Sequence, residues 1–309
     1  MVWSFFLANL AVILLVVRLR YASEGLAYAS PLPMAAWMWW PAAASAGALA
    51  ALLAVANRRR LSQAGARRAL AELMLLPALL AYEWGALPPK HWRVVDWAVL
   101  AAFAAAGVVC ISRERRSLAE RGLTGANFAS AAKMLTVPTA VMVAVPIVAA
   151  CFVGTDFEWN RLGVSLAGYP FWALAQLMVF QVFLVPRLRA LGASSVSIAL
   201  AAGGLFALAH WPNRILMAAC APAGVVWTIV YLRRPNVPAL ALSMGLAAAA
   251  FANALPRKSM TRNLRTGPIY VERFLEGLRP RKCVTPASSS APERRATEGP
   301  ATLRRSSAR

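Results

Sequence analysis

The side chains best suited to chemistry lie in one apolar part of the chain. His210 is one of only two histidines, and it ends an apolar run four residues after Phe206. Gln176 and Gln181 are polar residues in an earlier apolar run. Residues four apart lie on one face of a helix, so Phe206 and His210 are expected to point the same way. An imidazole there could serve as a base, a hydrogen-bond donor or a metal ligand.

The elements that must position these residues are membrane helices. Apolar residues make up 60% of the chain, charged residues only 15%, and the mean hydropathy is +0.56. Apolar runs of about 18–25 residues recur, which is the length needed to cross a hydrocarbon core of about 30 Å. We therefore predict an all-α, polytopic membrane protein with about 8–9 transmembrane helices. The predicted spans are 2–17, 34–56, 69–87, 94–112, 134–153, 163–186, 193–210, 215–232 and 236–255.

The charge pattern supports a membrane protein over a nucleic-acid-binding one. The net charge is +21, but most basic residues lie in loops between predicted spans, as the positive-inside bias requires. Because no basic module interleaved with aromatic residues is visible, we expect no nucleic-acid partner. The expected partners are membrane lipids and a membrane-associated peptide or protein. The four cysteines are scattered without a Cys-x-x-Cys pair, which favours packing roles over a zinc site or disulfides.

The chain divides into four predicted regions. Residues 1–130 supply N-terminal transmembrane helices, and residues 131–255 form a compact helical core that carries the candidate site. Residues 256–282 are a basic juxtamembrane segment. Residues 283–309 are rich in Ser, Pro and Arg with little to bury, which predicts a disordered tail. We expect the protein to be integral to a membrane, the bacterial inner (plasma) membrane.

Ordered motifs in the core resemble a known protease family. The stretch QLMVFQVFLVPRL (176–188) is followed by FALAHWPN (206–213) and then by ALSMGL (241–246). This order is similar to the CPBP family of intramembrane endopeptidases, the CAAX-prenyl-protease and bacteriocin-processing (Abi-type) group, over about residues 160–270. The resemblance implies that residues 131–255 are a CAAX-protease-like helical core. It also implies cleavage of peptide bonds in or near the membrane by a polarised water.

Most of the family's ionisable positions carry other residues in this chain. The resemblance assigns the family's glutamate pair to Gln176 and Leu177. The family's Phe-Arg falls on Phe180 and Gln181. The family's Phe-x-x-x-His is kept, and its histidine is His210 in this chain. A carboxamide cannot act as a general base, so the group that would activate water is missing from these positions.

The third motif is reduced as well. Its histidine position carries Met244 and its asparagine position carries Ala248, and residues 159–271 contain no Asp or Glu. A thioether is a poor ligand for a borderline divalent ion, and a zinc site needs at least three protein ligands. The resemblance implies a divalent metal for some family members, but we expect no metal and no cofactor in this chain. Glu72 and Glu83 are the two carboxylates of the first half that could substitute.

These observations define a candidate site and its alternatives. We predict that His210 and Gln176 hold the catalytic positions of a cavity lined also by Phe180, Gln181, Phe206, Asn213 and Met244. The competing interpretations are structural: a histidine that caps its helix, amides that bond neighbouring helices, a turn at Asn213 and packing at Met244.

For function, we predict an endopeptidase-like membrane protein with weak or absent hydrolysis, or a peptide-binding pseudoprotease. Its status as an enzyme stays open at this point. The alternative is a transporter-like or structural membrane bundle without enzymatic activity. Against a transporter, no two spans show matching Gly/Pro interruptions in the two halves of the chain.

Overall fold

The computed structural model describes residues 64–73, 75–76, 79–80, 94–154, 157, 159–211 and 213–254. Every regular element in these ranges is a helix, which confirms the predicted all-α fold class. The elements are α1 (Ala64–Leu73), α2 (Val94–Ser112), α3 (Phe128–Val153), α4 (Trp159–Leu177), a π-helical segment (Met178–Leu184), α5 (Val185–Ala190), α6 (Ser195–Leu208), α7 (Arg214–Arg233) and α8 (Val237–Ala254).

Four helical stretches are long and apolar enough to cross a membrane. They are Phe128–Phe152, Trp159–Ala190, Ile215–Arg233 and Val237–Ala254. The second of them runs without a break through α4, the π-helical segment and α5. Only 17% of the most apolar window of α3 is buried, as expected for a helix that faces lipid. The total of 8–9 spans stays a prediction, and the predicted spans 2–17 and 34–56 lie outside the described residues.

Side-chain caps set where three of the core helices begin. Ser194 Oγ accepts a hydrogen bond from the Ser197 amide at the start of α6. Asn213 Oδ1 accepts from the Leu216 amide at the start of α7, at 3.1 Å. Asn236 Oδ1 accepts from the Ala239 amide at the start of α8. Each cap satisfies an amide that has no partner within its own helix, which fixes the turns between the helices.

Helices α6 and α7 cross at a pair of glycines. A Cβ atom on Gly203 would lie 2.6 Å from Val225 Cγ2 and 2.7 Å from the Ala221 carbonyl oxygen. A Cβ atom on Gly224 would lie 2.9 Å from the Gly203 Cα. Small residues let membrane helices approach this closely, so the glycines determine the spacing of α6 and α7.

We expect Gly203→Ala to destabilise the protein by about 1–3 kcal/mol, because the added methyl group overpacks this crossing. The matched control is Gly204→Ala on the same helix, where a Cβ would meet no atom within 4 Å. Thermal unfolding of the two purified variants in detergent measures the difference. Equal melting temperatures for the two variants would contradict the close crossing.

Helix α8 packs against both α3 and α4. Gly245 lies directly against the ring of Pro170, where a Cβ would be 2.6 Å from the proline Cγ. On the other side, Thr139 and Ser243 share a hydrogen bond of 2.6 Å between their hydroxyl oxygens. These contacts place the middle of α8 between α3 and α4, with Met244 next to Ser243.

The connection between α2 and α3 is held against the turn between α7 and α8. The carbonyl oxygen of Gly122 accepts a 2.7 Å hydrogen bond from the Val237 amide. The Asn236 amide group donates to the Thr124 and Ala126 carbonyl oxygens. Gly122 has a φ of +70°, a left-handed conformation that favours glycine. The connection is therefore an ordered part of the core.

A buried arginine joins the first half of the chain to α5. Arg187 is only 2% exposed, and its Nε donates to Glu72 Oε2 on α1 at 3.0 Å. It also forms an ion pair with Glu114, which follows α2. A third bond runs from Arg187 to the Phe183 carbonyl oxygen, at 2.9 Å. One guanidinium therefore ties α1, the end of α2 and the π-helical segment together.

Candidate functional site

A small cavity of about 10 Å³, partly open to the surface, lies where α4, the π-helical segment, α6, α7 and α8 meet. It is lined by Gln176, Leu177, Phe180, Gln181, Ala202, Phe206, Gly224, Trp227 and Met244. None of these side chains is charged. The wall therefore consists of two carboxamides set among aromatic, aliphatic and thioether groups.

The π-helical segment explains how Gln176 and Gln181 line the same cavity. In a regular α-helix at 3.6 residues per turn, residues five apart point about 140° away from each other. A π-helix has hydrogen bonds from residue i to i+5, which brings residues five apart close to the same face. The segment Met178–Leu184 begins two residues after Gln176 and includes Gln181. The local widening therefore turns the second amide towards the first.

The aromatic rings of Phe180, Trp227 and His210 each contact the ring of Phe206 edge-to-face. The ring centroid of Phe206 is 5.2 Å from Phe180 and 5.8 Å from Trp227. The Trp227 indole N–H donates to Ser243 Oγ at 3.1 Å, so it is already used outside the cavity. Aromatic pairs in this arrangement add to the stability gained from their burial. The apolar wall is therefore fixed in place by contacts among four helices.

Gln181 is bonded on one side only. Its Nε2 donates to Thr228 Oγ1 at 3.0 Å, and its side chain is only 2% exposed. Its Oε1 is buried and has no hydrogen-bond partner among the described residues. An unpaired buried acceptor costs about 1–3 kcal/mol, so this oxygen is an unsatisfied group in the cavity wall.

His210 lies one turn beyond Phe206, past the end of α6. Its Nδ1 is 2.7 Å from the Phe206 carbonyl oxygen, which can only accept, so Nδ1 carries the proton. Its ring also meets the edge of Phe206, with centroids 4.8 Å apart. In a neutral ring with the proton on Nδ1, Nε2 is left as an acceptor. His210 packs against the ring of Phe206 and is not among the residues that line the cavity.

Five of the seven predicted site residues line the cavity: Gln176, Phe180, Gln181, Phe206 and Met244. Asn213 does not, because it is fully buried at the start of α7, where its side chain caps the helix. Asn213 was predicted to be a site residue because it follows His210 in the motif, but its capping hydrogen bond is a sufficient reason for an asparagine at this position.

The residues at the family's catalytic positions do not fit a divalent metal. The cavity offers two carboxamides and one thioether, and Leu177 stands where the second family carboxylate is expected. In the described part of the chain, no group of three or more His, Cys, Asp or Glu side chains could hold a metal ion.

Glu72 does not replace the missing carboxylates in the described part of the chain. Glu72 is paired with Arg187 and Arg68. Arg187 lies eleven residues beyond Gln176 on the same continuous helix, so Glu72 is held roughly three helical turns away from Gln176. Glu83 lies outside the described residues.

Sequence reasoning missed Trp227, Thr228 and Ala202. Trp227 and Thr228 follow Gly224 by three and four residues, so all three share one face of α7. The spacing of these two residues from Gly224 was the available signal. Ala202 had no comparable signal, because small residues are frequent throughout α6.

Comparison with known proteins agrees with the geometry. Residues 158–250 match the family of type II CAAX prenyl endopeptidase Rce1-like proteins. No curated protein and no solved structure matches the chain. The matched segment contains all nine residues that line the cavity. The part of the chain from residue 158 to residue 250 is therefore similar to Rce1-like CAAX proteases, as the motifs predicted, and its helices include ones long and apolar enough to cross a membrane.

Proposed function

We propose that this protein binds a membrane-associated peptide or protein segment at the cavity and does not hydrolyse it. The single observation that carries the proposal is the cavity wall. Gln176, Leu177, Gln181 and Met244 lie together there, at the positions where the family resemblance expects ionisable groups. The place for a ligand is kept, but no described side chain of the wall can activate water.

The retained architecture supports binding. The Phe206 cluster, the caps of α6 and α7 and the glycine crossing fix the helices that form the cavity wall. An unsatisfied acceptor in the wall is the kind of group that orients a bound ligand. Loss of catalytic side chains with retention of the surrounding packing is the pattern expected of a binding protein.

A peptide library tests the proposal directly. Purified full-length protein in lipid nanodiscs would be incubated with hydrophobic peptides, with capture and cleavage products read by mass spectrometry. We expect retained peptides and no cleavage products. Cleavage by the wild type that disappears in His210→Ala would overturn the proposed absence of hydrolysis.

A variant in which the family's catalytic residues are restored tests whether the fold can still support cleavage. It combines Gln176→Glu, Leu177→Glu, Gln181→Arg and Met244→His, and Ala248→Asn completes the third motif. Cleavage of a captured peptide by this variant alone would support loss of catalysis in an otherwise competent fold. Because three of these changes, at Leu177, Gln181 and Met244, place a charged or polar side chain at a buried position, thermal unfolding must first show that the variant is folded.

Failure to retain any peptide would instead favour the transporter-like or structural alternative. The bacterial inner membrane as location also stays a prediction. It is checked by fractionating membranes from cells that express the full chain.

A further inference from the structure

The side-chain amide of Gln181 has a defined orientation. Its Nε2 lies 3.0 Å from Thr228 Oγ1, and that hydroxyl donates its only proton to the Gly224 carbonyl oxygen at 2.7 Å. Thr228 can therefore only accept from Gln181. The nitrogen of the amide must face Thr228, which leaves the oxygen as the free end.

The free oxygen belongs to a residue of the cavity wall. Gln181 Oε1 is buried and has no partner among the described residues, and Gln181 lines the cavity. The nearby indole N–H of Trp227 is occupied by Ser243. Gln176 is the other polar side chain of the wall. A donor group that reaches Gln181 Oε1 from the cavity would therefore satisfy it.

The absence of charged side chains in the wall further limits the chemical class of ligand that can bind. Since no charged side chain lines the cavity, an ammonium group would be buried without a counter-ion. A carboxylate would place acceptor against acceptor at Gln181. An uncharged N–H or O–H donor has neither cost.

We propose that the cavity is a subsite for an uncharged hydrogen-bond donor, an N–H or O–H group that donates to Gln181 Oε1. The donor is either the backbone N–H of a bound peptide or a water molecule. Only the peptide source rests on the proposed function. The cavity volume of about 10 Å³ is roughly what one water molecule needs, so it admits a single small donor group and not a whole ligand.

The polarity of this subsite is opposite to what the family resemblance implies. An arginine at position 181 would only donate, and would select an acceptor such as a carbonyl or carboxylate. Glutamine held by Thr228 presents an acceptor instead. The substitution therefore changes which group the site recognises as well as removing a charge.

Isotope-edited infrared spectroscopy tests the subsite, because the chain has only three glutamines: Gln63, Gln176 and Gln181. Full-length protein with ¹³C at the glutamine side-chain carbonyl would be placed in phosphatidylcholine vesicles. Gln63→Ala and Gln181→Met assign the bands, and Gln176→Met assigns them by elimination if Gln181→Met does not fold. We expect the Gln181 band at the low frequency of a hydrogen-bonded carbonyl.

A peptide retained from the library provides the second arm. Each backbone N–H would be replaced in turn by an ester oxygen, which removes one donor. If the peptide supplies the donor, one ester is expected to weaken binding about 3- to 10-fold in the wild type and not in Gln181→Met. A hydrogen-bonded band with no sensitive ester position assigns the donor to water.

The two proposals fail in different ways. A Gln181 band at the frequency of a free carbonyl, with and without peptide, would overturn the subsite even if peptides are retained. A hydrogen-bonded band in a protein that retains no peptide would keep the subsite, with water as the donor, and count against the proposed function.

Discussion

Replacement of Arg187 with methionine is expected to destabilise the protein by about 3–5 kcal/mol, enough to unfold a protein of ordinary stability at moderate temperature. The methionine fills similar space but leaves the carboxylates of Glu72 and Glu114 facing a site without a positive charge. It also removes the donor to the Phe183 carbonyl oxygen. Thermal unfolding in detergent, followed by circular dichroism, measures the loss.

The control is Arg189→Met, two residues further along α5 on its exposed side. That change is expected to alter stability by no more than about 0.5 kcal/mol. A triple variant with Arg187→Met, Glu72→Gln and Glu114→Gln should recover part of the loss, since no buried charge is left unpaired. If Arg187→Met and Arg189→Met melt together, the ion pairs do not hold the helices as described.

A comparably large effect is expected for Gly122→Ala, a loss of roughly 2–5 kcal/mol. Alanine at a φ of +70° is strained, and its Cβ would lie 2.7 Å from the backbone of both Pro235 and Asn236. Backbone atoms cannot rotate away as a flexible side chain can. The α2–α3 connection would therefore have to separate from the α7–α8 turn, with loss of its hydrogen bonds.

Gly154→Ala separates the strain of the left-handed backbone conformation from the steric contact with the α7–α8 turn. Gly154 has a φ of +68°, close to that of Gly122, but a Cβ there would meet no atom within 4 Å. It should lose only the conformational part, about 1 kcal/mol. The difference between the two melting temperatures then reports the contact between the connection and the turn. Equal losses would mean that this contact contributes little.

The positions of two helices were predicted closely from the lengths of the apolar runs in the sequence. The predicted spans 94–112 and 236–255 differ by at most one residue at each end from α2 (Val94–Ser112) and α8 (Val237–Ala254). These boundaries were predictable because polar residues or prolines interrupt the apolar runs. The predicted span 163–186 begins later and ends earlier than the continuous helix from Trp159 to Ala190. The predicted domain boundaries stay predictions.

The candidate site was predictable only in part. The order of the motifs was enough to predict that Gln176, Phe206 and Met244 share one cavity. The π-helical segment was not predictable, because its apolar residues suit an α-helix equally well. The pairing of Arg187 with Glu72 could not be predicted either, since Glu72 lies 115 residues earlier in the chain. Long-range pairings of this kind leave no periodic signal in the sequence.

The position of the buried arginine has a consequence for the autonomy of the Rce1-like region. The family match begins at residue 158, whereas Glu72 and Glu114 both precede it. A fragment that starts at residue 158 would keep the guanidinium and lose both counter-ions. The ion pairs that bind α5 to the rest of the protein therefore extend beyond the segment recognised by homology. Expression or transplantation of this region should include the chain from at least α1 onward.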